Sequence, residues 1–118
     1  LNVSVDNIEK ISVDGASDVI ISGVDNKGLV MDLDGSGDIS ASGKTGEFIA
    51  NTSGSIDLNA KELRSEKVRI SVSGASDSTV YASKRLEVDI NGVGDIYYYG
   101  DPEEILENIS GVGEIIKQ

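Results

Sequence analysis

The sequence predicts an all-β fold, a single-domain right-handed parallel β-helix over residues 1–118, with about six rungs of about 19 residues each. Three observations predict it. One short motif recurs six times, the segments flanking it alternate apolar and polar residues, and glycine is plentiful where proline is almost missing. Fourteen glycines beside a single proline suit tight corners between strands better than a disordered linker.

Each motif copy runs apolar, polar, Gly, small, Gly or Ser, acid, and then alternating apolar residues. The first is Val13-Asp14-Gly15-Ala16-Ser17-Asp18-Val19 and the second Leu33-Asp34-Gly35-Ser36-Gly37-Asp38-Ile39. The third, anchored on Gly54-Ser55-Ile56, reads Ala50-Asn51-Thr52-Ser53-Gly54-Ser55-Ile56 and is degenerate. The fourth is Val72-Ser73-Gly74-Ala75-Ser76-Asp77-Ser78. The last two are Ile90-Asn91-Gly92-Val93-Gly94-Asp95-Ile96 and Ile109-Ser110-Gly111-Val112-Gly113-Glu114-Ile115. On this reading the acid position falls at 18, 38, 55, 77, 95 and 114, with gaps of 20, 17, 22, 18 and 19. A stable motif with variable gaps is the mark of a solenoid, where connections absorb the differences.

Period two is the strand signal. It runs before the motif in Leu29/Met31/Leu33, Val68/Ile70/Val72 and Leu86/Val88/Ile90, and after it in Val19/Ile21, Ile39/Ala41 and Ile96/Tyr98. The three-and-four spacing of an amphipathic helix is scarce, and helical turns have room only in the connections 61–67 and 102–106. Hairpins would also alternate, yet a meander needs no equivalent motif at each turn. Parallel stacking places like residue above like, and the preference of parallel crossovers sets the expected hand.

Composition excludes several functions. Ten Lys and Arg against 21 Asp and Glu leave a net charge of −11, which repels nucleic-acid phosphates and anionic lipid. With no Cys and no His, thiol chemistry, zinc-thiolate sites and histidine-based triads are impossible. No apolar run reaches the ~20 residues of a membrane span, and no signal peptide is visible in the chain.

The recurrent residues have structural and functional readings. Gly15, Gly35, Gly74, Gly92 and Gly111 are expected as structural corners, where positive φ or close packing excludes a side chain. The acid column is expected to cap backbone N–H groups at those corners. The alternative makes Asp18, Asp38, Asp77 and Asp95 carboxylate ligands of calcium, which would stabilise the module, with Ser55 interrupting the row. Otherwise no cofactor is expected.

Outward positions after the motif form two columns: Ile20, Ser40, Asp57, Thr79, Tyr97 and Ser22, Ser42, Asn59, Tyr81, Tyr99. Tyr81, Tyr97 and Tyr99 therefore gather on one exposed face as candidate ligand-binding residues for a glycan or a surface protein, with ordinary strand propensity as the alternative. Tyr98 should point inward. No catalytic residues emerge. A carboxylate pair hydrolysing polysaccharide is one enzymatic route left open, and connections of about seven residues leave little room for a cleft. Arg64, Arg69 and Arg85 read equally well as lyase groups or as counter-charges.

The Gly-x-Gly-Asp-Ile corners carry a resemblance, together with Asp95-Ile96-Tyr97-Tyr98-Tyr99-Gly100-Asp101-Pro102 and the closing Ile109-Ser110-Gly111-Val112-Gly113. Over essentially its whole length the chain resembles the putative auto-transporter adhesin, head GIN domain family. The resemblance implies a bacterial β-helical domain exported to the periplasm or cell surface, and a non-enzymatic binding or structural module. It supplies no catalytic residues. Members usually carry a further N-terminal stretch, so the chain is expected to be the C-terminal part of a longer domain. The open end this would leave is expected to favour self-association.

Overall fold

The computed structural model describes residues 2–4 and 10–118. Its elements, in chain order, are β1 (Asn2–Ser4), β2 (Lys10–Ile90), β3 (Val93–Tyr99), β4 (Glu104–Ile109) and β5 (Val112–Lys117). All pairings between these elements are parallel. β2 is 81 residues of uninterrupted extended chain wound upon itself, so its corners also lie in the hydrogen-bonded ladder. That arrangement satisfies backbone polar groups turn by turn around the whole circumference. Even at the breaks 91–92, 100–103 and 110–111 the bonds continue, from Asn91 N–H to the Val72 carbonyl, from Glu103 N–H to the Lys84 carbonyl and from Ser110 N–H to the Ile90 carbonyl.

The result is an all-β parallel solenoid of about five turns. Six motif copies mark corners, and six corners bound five windings, which corrects the expected six rungs. The turn length is read from register: Ala75 pairs with Val93, Arg85 with Glu104, and Val93 with Val112. No helix occurs among the described residues, and none is long or apolar enough to cross a membrane. The connections 61–67 and 102–106, where helical turns have room, form none: the first lies within β2 and the second runs into β4. Rung-to-rung bonding wins there because a helical turn would withdraw its amides from the ladder.

Alternation delivers the core. Leu29, Met31, Leu33, Phe48, Val68, Ile70, Val72, Leu86, Val88 and Ile90 are buried along one wall, with Val19, Ile21, Ile39, Leu58, Val80 and Ile96 from the post-motif segments. Tyr98 and Ile115 pack against this cluster from its margin. On the last turn Ile105, Leu106, Ile109 and Val112 are exposed.

The third motif copy needs correction. Asn51 Nδ2 donates to Asp32 Oδ1 at 3.0 Å, and a Cβ built on Gly54 would collide with the backbone of Gly35. These contacts place the third copy 19 residues after the second, so it reads Thr52-Ser53-Gly54-Ser55-Ile56-Asp57-Leu58. The acid positions become 18, 38, 57, 77, 95 and 114, with gaps of 20, 19, 20, 18 and 19. Ser55 interrupts nothing; it is an exposed small residue matching Ser36. Thr52 stands where other copies carry Leu33 or Val72, buried with its hydroxyl donating to the Ser71 carbonyl at 3.4 Å.

Candidate functional site

The glycine column is set by close approach. Gly35, Gly54, Gly74, Gly92 and Gly111 each bring the carbonyl oxygen of the glycine one turn earlier within 3.0 Å of where a Cβ would lie. At Gly74 a φ of +114° adds a second reason. Gly15 also has positive φ, whereas Gly92 and Gly111 are set by packing alone. Gly54 belongs to the column although it is not among the corner glycines the sequence motif marks.

The acids Asp18, Asp38, Asp77 and Asp95 stand one per turn, joined by Asp57 between Asp38 and Asp77. Asp77 Oδ1 accepts the backbone N–H of Asp95 at 3.3 Å, so the capping bond reaches to the next turn rather than closing within one corner. Partial burial pushes the Asp57 carboxyl above its ordinary value, and the charges of Asp38 and Asp77 push it the same way. Among the described residues no three acidic groups converge as a metal cage. The carboxylates form a ladder along the solenoid.

The corrected register also rewrites the outward columns, which become Ile20, Ser40, Asn59, Thr79, Tyr97 and Ser22, Ser42, Lys61, Tyr81, Tyr99. Tyr81 of β2 and Tyr99 of β3 are register partners, and Tyr97 pairs with Thr79 and Ile116. Tyr81, Tyr97 and Tyr99 are half-buried rather than exposed, because stacked neighbours cover part of each ring. Tyr98 turns inward onto the core margin.

Lys61 enters the outward column only in the corrected register. Its N–H is accepted by Asn59 Oδ1 at 3.3 Å, an Asn-centred turn that swings Lys61 and Glu62 both outward, while Ala60 and Leu63 stay buried. Lys61 Nζ then lies 4.9 Å from the centre of the Tyr99 ring, and the Arg64 guanidinium 5.8 Å from that of Tyr81. Both distances are in the cation–π range. Lys61, Glu62, Arg64, Tyr81 and Tyr99 line a depression of about 410 Å³. At Arg64 and Tyr81 it joins a groove of about 660 Å³, into which Lys27, Lys44 and Lys67 also project. The three arginines separate: Arg64 enters the groove, Arg85 faces Glu104 at 3.8 Å, and Arg69 is exposed elsewhere.

Fold and site together define the class, a parallel β-solenoid whose recurrent residues build the turns while its non-recurrent tyrosines and cations line a groove. Residues 2–102 match the family described as putative auto-transporter adhesin, head GIN domain, and the chain belongs to that family. Its fold is similar to the crystal structure of a putative adhesin from Bacteroides fragilis, with a TM-score of 0.81 at 23% identity. That similarity covers 99% of this chain and 56% of the other, so the chain spans little more than half the length of its structural relative. No curated protein matches the chain.

Proposed function

We propose that the chain is a non-enzymatic binding module of adhesin type, working outside the cytoplasm and engaging a surface glycan through Tyr81, Tyr97 and Tyr99. One observation carries the reading: Tyr81 and Tyr99 replace small serines of the same outward column and border a groove with cations set against their rings. Tyrosines held by strand register are preorganised, and half-buried rings stack on sugars with little entropy left to lose. Family membership supports the adhesin-like role and the location.

The test is glycan-array and whole-cell binding of the intact chain against a Tyr81→Ala/Tyr97→Ala/Tyr99→Ala variant. Loss of at least roughly ten-fold in affinity is expected, in keeping with aromatic anchors at a binding hot spot. Unchanged binding by a folded variant removes the tyrosine face as the site.

A further inference from the structure

We infer that the groove beside Tyr81 takes an acidic polysaccharide, a chain of sugar rings carrying carboxylates, which rests on the glycan-binding reading and names its ligand class.

The distribution of cations carries the inference. The sequence holds ten Lys and Arg among 21 acids, so most cations should find a partner. Among the described residues the ion pairs engage Lys10, Lys84, Arg85 and Lys117. Of the remaining six, Lys27, Lys44, Lys61, Arg64 and Lys67 line the joined depressions, and only Arg69 lies outside them. Five cations without an ion pair among the described residues, collected in one groove of a strongly acidic chain, leave that groove charges with which to meet an anion.

Geometry narrows the anion. Lys27, Lys44 and Arg64 come from successive turns, and turns stack at ~4.8 Å, comparable with the length of one sugar unit in an extended polysaccharide. A ligand lying along the solenoid axis would meet about one cation per sugar. Acids are interleaved with the cations: Asp25, Glu47 and Glu62 line the same walls, while Glu66 is held by Lys84 at 3.4 Å. This mixture repels a densely charged polymer such as nucleic acid or a heavily sulfated chain, whereas sparse carboxylates meet the cations and sugar hydroxyls meet the acids. Tyr81 and Tyr99 supply ring faces and edges where the two depressions join.

The experiment titrates the intact chain with oligomers of galacturonate, of mannuronate and of a glucuronate-containing polysaccharide. Methyl-esterified galacturonate, dextran sulfate and a single-stranded DNA oligonucleotide serve as comparison probes. At least one carboxylated oligomer is expected to bind, and to weaken as salt rises. It should lose ten-fold or more with Lys44→Gln/Arg64→Gln and stay unchanged with Arg69→Gln. Equal binding of galacturonate and its ester, equal losses in the two variants, or tighter binding of dextran sulfate or DNA would overturn the inference. The salt and ester comparisons need no substitution, so they decide even if the double variant folds poorly. If neutral glycans bind as well as acidic ones and the tyrosine variant abolishes both, the tyrosine face stands and the acidic ligand falls. If no glycan of either kind binds, both readings fall.

Discussion

Asp57 lies one turn beyond Asp38 in the same column, close enough for the Asp38 carboxyl to disfavour the charge of Asp57. Burial, then Asp38, then Asp77 raise the Asp57 pKa, so the native state binds its proton more readily than the unfolded chain does. Ionised Asp57 therefore opposes folding, and its contribution improves as pH falls through the raised value. Asp57→Asn should stabilise the chain at neutral pH by a few tenths of a kcal/mol, the scale of opposed like charges on a strand surface, since the group is largely solvated. Thermal melts of both proteins at pH 7 and near pH 3 check this. The gap should close at the acid end, and a variant less stable than wild type at pH 7 would contradict it.

Ser78 is fully buried with its hydroxyl unpartnered, in a column where Ile96 is its register neighbour. A buried hydroxyl without a bond costs about 1–3 kcal/mol, and alanine's methyl, nearly the volume of serine's hydroxymethyl, leaves little cavity. Ser78→Ala should raise stability by about 1 kcal/mol in denaturant melts. A loss of that size would mean that Ser78 has a partner.

Much of this architecture is legible in the linear sequence because a solenoid repeats its instructions. Alternation at 68–72 and 86–90 marks inward side chains, and the Gly-x-Gly-Asp corner at 92–95 marks a turn that only a parallel stack needs. The third copy is less legible because Gly54-Ser55-Ile56 imitates the Gly37-Asp38-Ile39 step two residues out of register. Thr52, polar in an apolar column, and Ile56, large where other copies carry Gly or Ser, remove the cues that would have settled it. Asp57 is the residue equivalent to Asp38 and Asp77. Aligning on it places Gly54 in the corner column and Lys61 below Tyr81, and the groove follows. Its remaining members, Lys27, Lys44 and Lys67, lie in connections that the repeat does not constrain, so only the fold brings them together.

The glycines separate two causes of glycine preference. Gly23 has a φ of +71° with nothing within 4 Å of a built Cβ, so Gly23→Ala should cost only the backbone term, about 1–2 kcal/mol. Gly74 combines a φ of +114° with a collision against the Gly54 backbone. Gly74→Ala should therefore cost about 3 kcal/mol or more, since strain and overpacking add. Equilibrium unfolding of both variants tests the ranking, and equal losses would refute the close-packed column.

Lys117 Nζ donates to Asp101 Oδ1 at 2.6 Å, tying β5 back to the corner that follows Tyr99. The bond holds the Asp101 carboxyl below its ordinary value and raises Lys117 above its own. Both side chains are largely exposed, so solvent screens the pair and global stability should barely change in Lys117→Gln. Its effect belongs to local opening of the last turn, whose amides bond to the turn before it, as Gln118 N–H does to the Tyr98 carbonyl. Because the Asp101 pKa is depressed in the fold, the stabilisation is complete above the unfolded carboxyl value and is lost as pH falls through the folded one. Hydrogen exchange of 112–118 should therefore run about two- to three-fold faster in Lys117→Gln near neutral pH, with the difference disappearing at low pH or in high salt. A difference that persists in strong acid would show that Lys117 acts through packing rather than charge.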